Sequence, residues 1–260
     1  MNESVFLLFI FMTTLSTFIQ YAQLVLLVLS MLLLYLHHNK TVKVLLLLTS
    51  LLSLTILAGY TCQFKIPPFA TMWHTLVWFV FLMTLLTYFL WSYTHQNMLC
   101  YGCCIICIIF IINNLLFFQI ADHALPPALK SVWFVPHVTA YLIAYGLMGV
   151  CFVWSVFNII TRQNNIHRYF NICFNVGYFC LLCGLFIGCI WAKNIWGNFW
   201  SWDSKETFAL LSALLYTICL KKQNRPESFC IVNIIAFAIL LFTWIGTKYL
   251  YTSQSLHIYG

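Results

Sequence analysis

Apolar runs of about 20 residues recur along nearly the whole chain, and they constrain its fold more than any other feature. Hydrocarbon offers no partners for backbone N–H and C=O groups, so a spanning segment must be a helix or part of a closed barrel. These runs are continuous and do not alternate apolar with polar residues, which favours helices. The sequence therefore predicts an all-α, polytopic transmembrane helical bundle of about eight spans.

Two of the predicted spans have unusual lengths. The first is longer than a bilayer requires, so it either tilts or starts late. The seventh is short and is expected to begin inside a tryptophan-rich stretch, with Ser204 as its N-cap and Glu206 in its first turn. The predicted spans are Val5–Tyr35, Val42–Tyr60, Met72–Tyr93, Leu99–Gln119, Pro136–Ile160, Asn171–Ala192, Thr207–Leu220 and Phe229–Leu250.

Charge supports this interpretation and indicates an orientation. Charged residues make up 7% of the chain, against roughly 25% in soluble domains. The basic residues are scattered over short loops and form no patch, so the net charge of +7 does not indicate a nucleic-acid partner. Seven Lys and Arg residues fall in one set of loops and five in the other. The positive-inside rule then places both termini and the tryptophan-rich loop outside the cytoplasm. The sequence does not decide between a bacterial inner membrane and a plastid membrane, and we favour the bacterial one.

Cysteine pairs are abundant but are interpreted as packing residues. C-x-x-C spacings occur at Cys100–Cys103, Cys104–Cys107 and Cys180–Cys183. Such pairs can bind zinc or carry out redox chemistry, yet these lie in predicted spans, where cysteine acts as a small apolar residue. None of the three pairs is followed by histidine, so none is a C-x-x-C-H haem-attachment motif.

Two histidines are expected at the same membrane face. His137 follows Pro136 at the start of the fifth span, and His257 lies in the tail beyond the eighth. Neutral imidazole is a common ligand of haem iron. His137 and His257 are therefore a candidate pair of axial ligands for one metal or haem.

The stretch from Trp191 to Thr207 holds four of the ten tryptophans and two of the five acidic residues of the chain. An aromatic belt would spread such residues over many helices at one depth. Clustered indoles instead form a flat apolar wall with few N–H donors, which suits a large planar ligand such as haem, a quinone or an aromatic lipid. The residues of this candidate wall are Trp196, Gly197, Trp200, Trp202 and Asp203.

Four separated segments occur in a recognisable order. They are Leu125-Pro-Pro-Ala-Leu-Lys-Ser-Val-Trp-Phe-Val-Pro-His137, Ala140-Tyr-Leu-Ile-Ala-Tyr-Gly146, Trp196-Gly-Asn-Phe-Trp-Ser-Trp-Asp203 and Phe242 through His257. The third resembles the WWD signature of haem-handling proteins, and the series resembles the CcsA family of the System II cytochrome c biogenesis pathway. We therefore predict N-terminal transmembrane helices at residues 1–119 and a CcsA-like WWD haem-handling region at residues 120–260.

The resemblance implies a function and a set of site residues. In this family two histidines outside the cytoplasm hold haem b, and by motif position they are His137 and His257. The WWD loop, Trp196 to Asp203 here, contacts the same haem. The family joins haem to the thiols of a C-x-x-C-H motif, so the implied partners are CcsB, an apocytochrome c, haem and membrane lipid. Thiol addition needs orientation more than a strong acid or base, so no catalytic residue is assigned, and Asp203 is expected to order the loop or cap the seventh helix.

One position departs from the family. Lys221 stands where the family often has a histidine of a second haem site inside the membrane, and lysine at a span end usually extends to the interface. The resemblance therefore does not support an inner haem site, and His74, the other candidate ligand, is expected near the outer face. Two other functions stay open: a haem exporter or carrier that hands haem to a separate ligase, as CcmC-type proteins do, and a quinone-binding membrane subunit.

Overall fold

The computed structural model describes residues 3–64, 68–69, 71–117, 127–162 and 168–246. The chain divides into two compact units, Met1–Leu125 (unit 1) and Pro126–Gly260 (unit 2). The predicted domain boundary between residues 119 and 120 lies outside the described residues and stays a prediction. The described helices are α1 (Glu3–Tyr35), α2 (Asn39–Phe64), α3 (Met72–Thr94), α4 (Asn97–Phe117), the 3₁₀ helix Pro127–Lys130, α5 (Phe134–Thr161), α6 (Arg168–Trp196), α7 (Ser204–Lys221) and α8 (Pro226–Trp244).

Seven of these helices are long and apolar enough to cross a membrane. The predicted all-α, polytopic class is thereby confirmed, and the chain is an integral membrane protein. In α1 the qualifying part, within the residues whose side chains are described, is Ile10–Tyr35. α7 does not qualify and is the shortest of the described α-helices, with 18 residues. α8 ends at Trp244, before the predicted end at residue 250.

Unit 1 is a four-helix arrangement in which α1 and α3 each pack against both α2 and α4. Some buried polar groups pair between helices, as where Gln23 Nε2 donates to Ser53 Oγ at 2.8 Å. His74 is fully buried in the first turn of α3. Its Nδ1 lies 2.7 Å from the hydroxyl of the N-cap Thr71, and its ring meets Tyr60 edge-on. His74 is thus part of the interior of unit 1.

The cysteines of the two adjacent C-x-x-C pairs lie on α4. All four are buried and unoxidised, and their spacing places them on one face of the helix. Across the described residues, no group of three or more His, Cys, Asp or Glu side chains is arranged to hold a metal ion. All four side chains of this face are buried, and their role in helix packing stays a prediction.

In unit 2, α5 packs against α6 and α8, and α7 packs against α8 and α6. α7 runs antiparallel to α6: Thr217 Oγ1 lies 2.8 Å from the Tyr178 hydroxyl, and Gln223 near the far end bonds Asn175 at 2.9 Å. Inside the unit, Asn233 of α8 donates to Ser155 of α5 at 2.9 Å. This packing brings the start of α5, the end of α6 and the start of α7 to one end of the unit.

Candidate functional site

His137 lies at the end of the first turn of α5 and is held by contacts to α6. Its Nδ1 is 2.9 Å from the carbonyl oxygen of Gly184. A carbonyl oxygen can only accept, so Nδ1 carries the ring proton and the lone pair lies on Nε2. Metal-binding histidines commonly donate their second nitrogen to a carbonyl or carboxylate in this way. The contact therefore fixes both the tautomer and the ring orientation of His137.

Two glycines of α6 make this approach possible. A Cβ added at Gly188 would lie 2.7 Å from His137 Cε1, and one added at Gly184 would lie 2.8 Å from Tyr141 Cδ2. Real side chains do not tolerate such distances to ring atoms. Small residues four apart on one helix let a neighbouring membrane helix come close. Gly184 and Gly188 thus form a recess on α6 that the His137 and Tyr141 rings of α5 occupy.

Trp191 connects His137 to the tryptophan-rich stretch. Its ring stacks on that of His137, with centroids 5.4 Å apart and 26° between the planes. It is buried, and its Nε1 donates to the Ala128 carbonyl at 3.1 Å. Its ring also meets that of Trp196 edge-on, with centroids 5.0 Å apart. Because α6 continues to Trp196, both indoles stand on a helix end rather than in a loop.

A turn then leads from α6 to α7. Gly197 has φ +81°, a left-handed conformation that suits glycine, and its N–H bonds the Lys193 carbonyl to end α6. Trp202 also has a positive φ, and its side chain is 68% exposed. Trp200 meets Trp202 edge-on at 5.9 Å. The Trp200 indole nitrogen is buried, and no described residue accepts a hydrogen bond from it.

Asp203 caps α7, so the prediction of Ser204 as N-cap is wrong. The Glu206 N–H donates to Asp203 Oδ1 at 2.7 Å, while Ser204 has helical geometry and is the first residue of α7. Glu206 lies in the first turn as predicted, and its carboxylate accepts from the Ser201 N–H at 2.6 Å. Both acidic residues therefore order the turn and the start of α7, although Glu206 accepts from Ser201 and not from the N–H of the N-cap residue, as it would in a capping box.

The predicted site residues are brought together to different degrees. His137 and Trp196 are joined through Trp191, whereas Trp200, Trp202 and Asp203 belong to the adjoining turn. His257 lies outside the described residues, so its pairing with His137 stays a prediction. Lys221 is the last residue of α7, at the opposite end of that helix from Asp203.

Sequence reasoning missed Trp191, Gly184 and Gly188 as site residues. A signal was present, because these residues recur at spacings of four and three and so share one face of α6. That face looks toward α5, as the contacts of Gly184 and Trp191 with His137 show.

Comparison with known proteins agrees with this description. Residues 15–254 match the family model described as cytochrome C assembly protein. The chain is 31% identical over 153 residues to the cytochrome c biogenesis protein CcsA of Chlamydomonas reinhardtii, covering 52% of this chain and 43% of that protein. It is 29% identical over 185 residues to CcsA of Mesostigma viride, covering 54% and 59%. The matches thus span about half the length of these relatives.

Two further similarities widen the comparison. Over 143 residues the chain is 32% identical to the protein NrfI of Wolinella succinogenes, covering 48% of this chain and 16% of that one. A solved structure of the cytochrome c heme lyase CcmF superposes with a TM-score of 0.67, covering 94% of this chain and 52% of CcmF. At 15% identity, this likeness shows a shared fold. The family match over most of its length confirms what the sequence motifs indicated: the chain belongs to the cytochrome c assembly protein family.

Proposed function

We propose that this chain is the haem-binding membrane component of a cytochrome c maturation system. His137 and His257 would hold the iron of haem b at one membrane face, and the segment from Trp191 to Asp203 would pack against the porphyrin. Together with a CcsB-type partner, the chain would present haem for covalent attachment to the C-x-x-C-H motif of an apocytochrome c. The names of CcsA and CcmF support the pathway.

The observation that carries this proposal is the setting of His137. Its proton is fixed on Nδ1 by the Gly184 carbonyl, which makes Nε2 the ligating nitrogen. Its ring is clamped between Trp191 and Tyr141, with centroid distances of 5.4 and 5.0 Å. A ligand held this way loses little rotamer freedom on binding iron, because its orientation is already set.

The tryptophan-rich turn fits the same ligand. The indole rings of Trp196, Trp200 and Trp202 supply apolar area. The buried Trp200 N–H is a hydrogen-bond donor for which no described residue provides an acceptor. Haem carries an apolar ring and two carboxylates, so it would satisfy both features. When bound, haem supplies the vinyl groups that react with thiols, and the residues of this chain orient it and exclude water.

A haem spectrum of the purified protein tests the site. We expect a low-spin spectrum typical of two histidine ligands from the wild type, and loss of most of that signal from His137→Ala. Addition of imidazole should restore the low-spin signal, because a free ligand can occupy the place of the missing ring. His38→Ala, at an exposed position after α1, is the matched control. Wild-type haem occupancy and spectrum in His137→Ala would refute the assignment.

Co-expression separates a lyase from the carrier alternative. If this chain is part of a lyase, thioether-linked haem should form only when the chain is co-expressed with CcsB and an apocytochrome c. A carrier would bind haem equally well, but a separate ligase would still attach haem without it. Formation of covalent cytochrome c in cells that lack this chain would therefore favour the carrier function.

A further inference from the structure

A second feature of unit 2 lies at the other end of α5 from His137. A cavity of about 520 Å³ opens between the end of α5 and the start of α8. Its lining includes Asn158, Ile159 and Arg162 from α5, with Glu227, Cys230 and Ile231 from α8. Arg162 is 25 residues beyond His137, about 37 Å along a helix, so this cavity is separate from the haem site.

The cavity carries one positive and one negative group. Arg162 and Glu227 are both exposed, and neither forms an ion pair within the described part of the chain. Arg162 is placed there by the end of α5, where it takes a left-handed conformation and its N–H bonds the Asn158 carbonyl. Two opposite charges that line one cavity without pairing are each available to a ligand that carries both signs.

The position of these charges indicates an amphiphilic ligand. The apolar stretch of α5 ends at Thr161, immediately before Arg162, and that of α8 begins at Pro226, immediately before Glu227. Below the charges, Ile159 and Ile231 are 40% and 46% exposed. The cavity therefore combines charged groups at the edge of the spans with apolar surface that continues into them, as a phospholipid would require.

The type of headgroup follows from the lining. A guanidinium binds a phosphate through paired N–H donors, and a carboxylate accepts hydrogen bonds from a primary ammonium. A choline group has no N–H to donate and prefers aromatic cages, but the cavity lining contains no aromatic ring among the described residues. An anionic headgroup would set a net negative charge beside Glu227. We propose that this cavity binds a phosphoethanolamine lipid headgroup, with phosphate on Arg162, ammonium on Glu227 and acyl chains along Ile159 and Ile231.

Lipid retention by the full-length purified protein tests this site. The protein is exchanged into equal amounts of phosphatidylethanolamine, phosphatidylcholine and phosphatidylglycerol, and the retained lipid is measured by mass spectrometry. We expect phosphatidylethanolamine to exceed the other two by roughly fivefold, the scale of about 1 kcal/mol for exposed charge pairs. Arg162→Gln should remove this excess, and Glu227→Gln should bring phosphatidylglycerol level with phosphatidylethanolamine.

The control is Arg168→Gln, which removes an exposed arginine at the start of α6 that does not line the cavity. It should leave the lipid ratios unchanged. Equal losses from Arg162→Gln and Arg168→Gln, or equal retention of all three lipids by the wild type, would overturn the proposal. A final measurement adds soluble glycerophosphoethanolamine, which carries the headgroup without acyl chains. We expect it not to displace the bound phosphatidylethanolamine. If it does, the site binds a free headgroup rather than a lipid.

Discussion

At Gly188 the contact between α5 and α6 leaves no space for a side chain. A Cβ there would lie 2.7 and 2.8 Å from two atoms of the His137 ring. Overpacking of this kind costs about 1–3 kcal/mol, and the ring must shift away from the Gly184 carbonyl. We expect Gly188→Ala to weaken haem retention about tenfold, as measured by haem titration of the purified protein.

Gly59→Ala is the matched control in unit 1. Its added Cβ would lie 3.0 Å from Met12 Cε, the end of a flexible side chain that can move aside. Alanine also favours the helix by about 1 kcal/mol, so haem retention should not change. If the two alanine variants behave alike, the recess at Gly188 does not position His137.

Trp191 shows which residues the sequence identifies and which it does not. Motif position selected His137 and the WWD residues, because those patterns are local. The role of Trp191 depends on which face of α6 meets α5, and a run that is apolar on nearly every face carries little information about helix rotation. The stacking of Trp191 on His137 therefore had to come from the structure.

The start of α7 is the element on which the tryptophan-rich turn depends. Asp203 accepts the Glu206 N–H at 2.7 Å and caps the helix. Loss of an N-cap costs about 1 kcal/mol, whereas asparagine caps as well as aspartate. We expect Asp203→Ala to lower the free energy of unfolding by about that amount and to reduce haem retention, and Asp203→Asn to do neither. Denaturant unfolding in detergent, with a haem spectrum alongside, measures both effects.

The two Asp203 variants also distinguish a helix-capping role of Asp203 from a direct role of its carboxylate charge. Equal haem loss in Asp203→Asn and Asp203→Ala, without a change in stability, would indicate that the carboxylate itself acts on the ligand. The sequence predicted Ser204 as the N-cap and left Asp203 either to order the loop or to cap the helix, because both residue types are good caps and adjacent in the chain. Backbone geometry decides it: Asp203 is extended, with ψ 168°, and Ser204 begins the helix.

In unit 2 as a whole, we expect α7 to cross the membrane with its neighbours, although it does not qualify as a span by its composition. It lies beside α6 through Tyr178 and Thr217, and beside α8 through Phe208 and Phe242. Its 18 residues span about 27 Å, close to the hydrocarbon thickness of about 30 Å. Burial of one side against two apolar helices lets α7 carry more polar residues than a span that faces lipid. The apolar runs predicted eight spans, and seven of the described helices qualify, so the crossing of α7 stays a prediction that can be tested.

The orientation of unit 2 follows from its charged ends. In the described residues, Arg162, Arg168, Lys221, Lys222 and Arg225 stand at one end, against Lys130, Lys193 and Lys205 at the other. By the positive-inside rule we expect the first end in the cytoplasm and the proposed haem site outside it. We expect a reporter active only in the cytoplasm to be active when fused after Asn224 and inactive when fused after Phe199, with the converse for a reporter active only outside. Activity of the same reporter at both positions would show that α7 does not cross the membrane. A cytoplasmic reporter active after Phe199 and inactive after Asn224 would place His137 on the cytoplasmic face. That result would exclude attachment of haem by this site to an exported apocytochrome.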